Sequence, residues 1–508
     1  MKKLAEDCNQ NPTGECSEAE GRDTTASGTA SHAEGYQTSA SADASHAEGS
    51  STIAGGSASH AEGYQTGTTA DSAHAEGTFT TASGVASHAE GSQTVADGDV
   101  SHAEGNRTTS NGLASHAEGI LSTANGSASH AEGRQTSANG EGSHTEGLQT
   151  NASGAMAHAE GSFTSAGGEA SHAEGYQTVS SNLTAHAEGF MSAASGVAAH
   201  AEGIASIASA AATHAEGRAS QALGMNSHAE GFMTRASGLN AHAQGESTVA
   251  SGQASHAEGS HTQALGPGSH AEGVGTIVEA AHTGAHIMGQ IGRTRFPYSW
   301  HLANGLLDGP TLNSAVIEGA TGNLYLDGTV ISPNAADYAE MFETSDGQSI
   351  DVGYFVTFDG AGAKIRKAND SDPYILGIIS ARPAMLADSS DLRWHKLFVT
   401  DEWGRIQYRE VTVPEEKDSE GTVIRSAVVK KEPILNPDWD SSMSYIPRLQ
   451  RPEWVAVGIV GKLLIRDDGT CQAGGYCMPN ADGMATNSDA GYRVMERTGA
   501  NQIKIFVK

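Results

Sequence analysis

Three carboxylates, Asp337, Glu340 and Glu343, stand three residues apart in the segment Ser332-Pro333-Asn334-Ala335-Ala336-Asp337-Tyr338-Ala339-Glu340-Met341-Phe342-Glu343. One helical turn at that spacing brings all three onto one face. Crowded carboxylates repel one another, which raises one pKa and lets a pair divide acid and base roles. The same residues at a helix start also serve simply as dipole partners. Asp337 and Glu340 are therefore the candidate catalytic residues, with catalysis and dipole pairing both open.

A second set of titratable residues is periodic. Histidine recurs at 32, 46, 60 and onward to 270, eighteen times at intervals of 14, inside Ser-His-Ala-Glu-Gly or a close variant. Two positions after each stands Glu, from Glu34 to Glu272, with Gln244 the one exception. Imidazole and carboxylate at i and i+2 of a strand share a face. Three readings stay open: a structural ladder along a subunit seam, metal binding through imidazole nitrogen and carboxylate oxygen, and an exposed array fixed by duplication. Catalysis does not fit, because eighteen identical sites have no unique substrate pocket. No cofactor is expected.

The elements that position these columns follow from the repeat. Ser/Thr-x-Ala-x-Gly is written twice per 14 residues, as at Thr80, Ala82 and Gly84. Alternation at period two predicts short strands and the recurring Gly predicts tight turns. Two strands and two turns make one coil of a narrow β-solenoid, with Ser, Thr and Ala inside. At about 4.8 Å per coil, eighteen coils give a rod about 86 Å long. Val274–Val278 is an apolar end suited to cover the last strand edges. Short strands are expected at Ser314–Glu318 and Asn323–Leu326.

Composition narrows the function classes. Sixty acidic against 29 basic residues give a formal charge of -31, which argues against nucleic-acid binding and against docking on an anionic membrane. No run of about 18 apolar residues suggests membrane insertion. Met1-Lys2-Lys3-Leu4-Ala5-Glu6-Asp7-Cys8 has no apolar stretch and is not read as a secretory signal. Four Cys exclude a disulfide-stapled scaffold. Cys471 and Cys477 share one Gly-rich loop, where a disulfide, a partial zinc site and structural thiols all remain open. Strand-like runs at Tyr354–Phe358, Ile375–Ile379, Leu397–Thr400, Trp454–Leu464 and Ile503–Val507 predict a mainly β C-terminal domain. The boundaries read as an N-terminal segment 1–16, a rod 17–289, a neck 290–334 and a globular domain 335–508.

The doubled Ser/Thr-x-Ala-x-Gly pattern resembles the left-handed β-roll heads of trimeric autotransporter (YadA-like) adhesins. Those heads carry apolar residues where this chain has His and Glu. The resemblance implies a homotrimer. Ala336-Asp337-Tyr338-Ala339-Glu340-Met341-Phe342-Glu343 resembles the opening motif of the peptidase G2 family. Further matches are Ile375-Leu376-Gly377-Ile378-Ile379-Ser380, Asp401-Glu402-Trp403-Gly404-Arg405, Cys471 through Cys477-Met478-Pro479, and Tyr492-Arg493-Val494. That family's domains are autoproteolytic intramolecular chaperones of phage tail and neck-appendage proteins. The resemblance implies a phage or prophage tail fibre, spike or appendage that trimerises and cuts itself near residues 332–337. It also implies other virion tail proteins and a host-cell receptor as partners, and a place in the virion after assembly in host cytoplasm. The alternative is a non-enzymatic adhesin on a bacterial surface.

Overall fold

Fourteen residues close one coil of the rod. A five-residue strand such as His46–Ser50 leads through a turn to a two-residue strand, Ile53–Ala54, and a second turn. Each strand pairs in parallel with its equivalent one coil away, His46 with His60, Ala47 with Ala61 and Glu48 with Glu62. Strand alternation then sends Ala47 inward and His46 and Glu48 outward. Ala33, Ala40, Ala47 and Ala54 are fully buried, and Ser31, Thr38, Ser45 and Thr52 fill the rest of the interior. The β-solenoid and its small-residue interior are as the repeat predicts.

The turns that make so tight a coil require left-handed backbone at ordinary residues. Ala44 (φ 54) and Ser51 (φ 59) occupy the two turns of one coil. Such conformations cost on the order of 1 kcal/mol each. Here the N–H groups they redirect reach the preceding coil, Ala44 to Thr29 O at 2.7 Å and Ser51 to Tyr36 O at 2.8 Å. Asp43 adds a side-chain tie, its Oδ1 accepting the Thr29 N–H at 2.8 Å. Gly49 (φ 108) is held more strictly, since a Cβ there would lie 2.1 Å from the Gly63 carbonyl oxygen.

The computed structural model describes residues 8–331, 336–390, 392–394, 396–417, 423–425, 427–440, 442 and 444–508. They divide into two units, Met1–Thr329 and Val330–Lys508. In the first, pairing already starts at Asn11–Pro12 against Thr25–Ala26. Larger interior residues mark the other end: Val278 and Ile287 are buried where Ala stands earlier, while Val274 is exposed. The parallel ladder runs on to Trp300–Asn304, then turns antiparallel through Asn313–Ile317 and Leu324–Leu326.

The second unit is built on a ten-stranded sheet. In chain order its strands are β1 (Asp337–Glu343), β2 (Phe355–Phe358), β3 (Ile365–Lys367), β4 (Gly377–Ile379) and β5 (Met385–Ala387). They continue as β6 (Trp454–Arg466), β7 (Tyr476–Pro479), β8 (Ala485–Ser488), β9 (Tyr492–Gly499) and β10 (Gln502–Val507). The sheet order is β3-β2-β4-β6-β10-β9-β7-β8, with β1 pairing both β5 and β6. Four of the five predicted runs become β2, β4, β6 and β10. Leu397–Thr400 forms only single bridges, Phe398 with Leu435 and Thr400 with Ile406. The long β6 joins two apolar clusters: Phe355, Ile378, Leu463, Ile465, Ile503 and Ile505 in one, Val356, Ile365, Val455 and Val457 in the other. Each fully buried side chain of this size contributes about 1.5–3 kcal/mol.

The carboxylate segment is strand β1, where spacing by three predicts a helical turn. Asp337, Ala339 and Met341 are buried and alternate with Tyr338, Glu340 and Phe342. Pairing with β6 outweighs any local helical preference, and it separates Asp337 from Glu340 onto opposite faces.

Candidate active site and the histidine–glutamate columns

Asp337 opens β1 opposite Gly461, and only 7% of it is exposed. Its Oδ2 has no hydrogen-bond partner among the described residues. A side chain on Gly458 would reach within 2.9 Å of that oxygen, so the glycine makes room for the carboxyl. Burial pushes the Asp337 pKa up, and a hydrogen bond from the Ser380 hydroxyl offsets part of the rise. A carboxyl held this way carries its proton to higher pH than a free one and suits a proton-donor role.

The adjoining peptide group is also fixed. Lys462 donates its backbone N–H to the Ala336 carbonyl at 3.3 Å, and Ala384 donates to the Asp337 carbonyl at 2.8 Å. Gly461 (φ +124) allows this approach, because a Cβ there would sit 2.2 Å from Ala336 O. A cavity of about 680 Å³ adjoins the pair, lined by Asp337, Ser380, Arg382 and Lys462 among others. Ala336 itself is exposed.

The other two carboxylates are elsewhere. Glu340 accepts the Tyr338 hydroxyl at 2.8 Å on the opposite face. Glu343 pairs with Lys364 at 2.7 Å, six residues along the strand and about 20 Å from Asp337. One chain therefore does not gather the three. Of the segment expected to be cut, Ser332, Pro333, Asn334 and Ala335 lie outside the described residues. Sequence reading missed Ser380, Gly458, Gly461 and Lys462, which come from β4, β6 and their ends; no local spacing links them to Asp337.

Cys471 and Cys477 are buried free thiols. Burial pushes both pKa values up, Cys477 to about 12, so neither is poised as a nucleophile.

In the rod, the imidazoles stack face to face from His32 to His286 with centroids 4.5–4.9 Å apart. Trp300 closes the stack, 4.3 Å beyond His286. The Glu column runs beside it, with His Nε2 to Glu Oε separations of 3.5 Å at His116–Glu104 and 4.0 Å at His32–Glu34. His270 faces carboxylates on both sides, Glu258 at 3.6 Å and Glu272 at 3.9 Å. Burial and the neighbouring imidazoles push His74, His102, His130 and His228 down. The carboxyls also interact along their column. Hydrogen bonding between adjacent coils, together with burial and mutual repulsion, pushes Glu62, Glu90 and Glu118 up to about 7, while Glu48, Glu76 and Glu104, each one coil before them, are pushed down.

Residues 301–503 match the family model described as Peptidase_G2, IMC autoproteolytic cleavage domain. The chain is 34% identical over 171 residues to the pre-neck appendage protein of Bacillus phage B103, covering 34% of this chain and 18% of that protein. It is 34% identical over 174 residues to the pre-neck appendage protein of Bacillus phage phi29, covering 34% and 19%. The crystal structure of the phi29 gene product 12 C-terminal fragment aligns with 35% identity and a TM-score of 0.28, over 34% of this chain and 100% of that one. The chain thus spans about a fifth of the length of these curated relatives, and the similarity to each extends over about a third of its own length.

Proposed function

We propose that this chain is a phage or prophage appendage protein, homotrimeric in the virion, whose C-terminal domain assists trimer formation and then cuts the chain at its own border. The observation that carries the reading is the buried Asp337 carboxyl next to a peptide group whose carbonyl is already held. The bond favoured for cutting is Ala336–Asp337. Water adds to the Ala336 carbonyl carbon, and charge gathering on its oxygen is met by the Lys462 N–H. Asp337 gives its proton to the leaving amide nitrogen, so that the bond opens to a free amine and a carboxylate. Ser380 is a positioning residue that orients Asp337. Glu340 receives the proton of water; because it faces away within one chain, a second copy supplies it on trimer closure. Coupling the cut to closure makes it follow correct assembly.

Intact mass spectrometry of purified full-length protein tests the cut. Fragments 1–336 and 337–508 are expected, and a single 52.1 kDa species in mature trimers rejects the reading. Co-expression of Asp337→Asn and Glu340→Gln chains tests the division of roles. Each variant alone is expected to remain whole, while mixed trimers recover partial cutting. Sedimentation tests the oligomer, since a well-folded monomer of the full chain excludes a trimer.

A further inference from the structure

The imidazole and carboxylate columns are spaced for something other than hydrogen bonding to each other. The Nε2 atoms of all eighteen repeat histidines are buried and have no hydrogen-bond partner among the described residues. For fifteen of them a facing carboxylate oxygen stands 3.5–4.0 Å away, beyond a charge-assisted hydrogen bond of about 2.7–2.9 Å. Nitrogen and oxygen ligands held 2.0–2.2 Å from a tetrahedral ion are themselves about 3.4 Å apart. The closest pairs, His116–Glu104 and His158–Glu160 at 3.5 Å, meet that separation almost without movement.

We propose that the rod binds divalent transition-metal ions of the zinc class between coils, each held by two successive histidines and the glutamate beside them. His130, Glu132 and His144 form one such group, and His158–Glu160–His172, His214–Glu216–His228 and His256–Glu258–His270 are others, each with ligand atoms within 4.8 Å of one another. Imidazole and carboxylate suit this class of ion, and water completes the fourth position. Neutral imidazole is the ligand form.

Two independent constraints set the number bound. An ion midway between near-parallel rings 4.8 Å apart, as at His158 and His172, lies about 2.4 Å out of each ring plane, farther than a whole Zn–N bond of about 2.0–2.1 Å. The two rings must therefore tilt toward each other, and a ring that tilts one way opens the gap behind it. His214–Glu216–His228 and His228–Glu230–His242 share His228, so only one of them can be filled. Charge gives the same limit. Nine dications carry +18 against the 17 repeat carboxylates, whereas one ion per histidine carries +36. Both point to one ion per two coils, about nine per chain. This inference concerns coils of a single chain and does not depend on cutting.

The test uses the full chain stripped with a chelator, dialysed against micromolar zinc chloride and analysed by elemental mass spectrometry. About nine Zn²⁺ per chain are expected, falling by about two in a Glu132→Gln, Glu146→Gln, Glu160→Gln, Glu174→Gln variant, which strips the carboxylate from four successive gaps and so from two filled sites in either register. X-ray absorption at the zinc edge on the unaltered protein is expected to show two imidazoles and oxygen per ion, a readout that needs no variant to fold. Two or fewer ions per chain, eighteen ions per chain, or zinc in an oxygen-only environment would each overturn the proposal.

Discussion

Asp337 pairs across β1 and β6 with Gly461, and that glycine's left-handed backbone (φ +124) leaves the space into which Ala336 O projects. A buried acid and a hydrogen-bonded carbonyl are thereby set on consecutive residues. Replacing Gly461 with Ala places a carbon 2.2 Å from that oxygen in a conformation L-residues avoid. Gly461→Ala is expected to destabilise the C-terminal domain by about 1–3 kcal/mol and to slow cutting at least tenfold. Urea melts and a timed mass series measure the two; unchanged cutting would show that the Ala336 carbonyl is not at the reaction centre.

Asp337→Asn separates chemistry from stability. The Asp337 pKa is raised by burial, so its carboxyl favours the folded state when protonated. That contribution is fully present below the unfolded value of about 3.9 and is lost as pH rises through the folded value. At pH 7 the neutral amide escapes this loss. The uncut variant is expected to melt roughly 2–4 °C higher than an uncut Glu340→Gln control, the scale of about 1 kcal/mol in a domain of this size. A lower melting temperature contradicts the buried-carboxylate account.

The rod interior carries a testable redundancy. The hydroxyls of Thr52, Thr66 and Thr80 are buried without a hydrogen-bond partner among the described residues. Burying an unpaired hydroxyl costs about 1–3 kcal/mol in proteins, while the methyl group packs equally well in valine. Thr52→Val, Thr66→Val and Thr80→Val together are expected to raise the rod's thermal midpoint. A fall of several degrees would mean that those hydroxyls are paired in solution.

Mild acid is expected to act oppositely on different coils of chelator-treated protein. His172, His200, His228, His242 and His256 are pushed down, chiefly by burial. Their neutral stack stabilises fully above the unfolded value of about 6.5 and weakens as pH falls through the folded values. Protonation therefore loosens this stack rather than strengthening it. Glu62, Glu90 and Glu118, at about 7, contribute in the other direction, with stability present at low pH and lost as pH rises through 7. Pulsed hydrogen exchange after equilibration at pH 5.5 and pH 8 should show residues 172–256 losing protection in acid relative to residues 62–118. Identical change along the rod would refute the assignment.

The columns of the rod were legible because one period fixes everything: a residue's place in 14 states its face, its neighbour above and its neighbour below. Ala47 inside and His46 outside follow from that alone. The carboxylate segment was not legible in the same way. Spacing by three suggested a helix, but Ala339 and Met341 alternate with Tyr338 and Phe342, and a strand partner more than a hundred residues away, β6, decided between the two periods. The approach of Ser380 to Asp337 and of Lys462 to Ala336 arises only from that sheet.

Apart from Thr145 and Gln244, each repeat coil presents the same His, Ala, Glu and Gly to its neighbours, and a Cβ at Gly49 would strike the carbonyl of Gly63 just as one at Gly63 would strike that of Gly77. Coils are therefore interchangeable bricks with no unique joint between them. Whole bricks can be removed or duplicated while both ends stay as they are, and the distance spanned changes in steps of about 4.8 Å. A one-residue slip has no such freedom, because it would put histidine where alanine must fit. The array is a ruler whose markings are enforced by sterics, and reach is the property it lets selection adjust without redesigning either terminus.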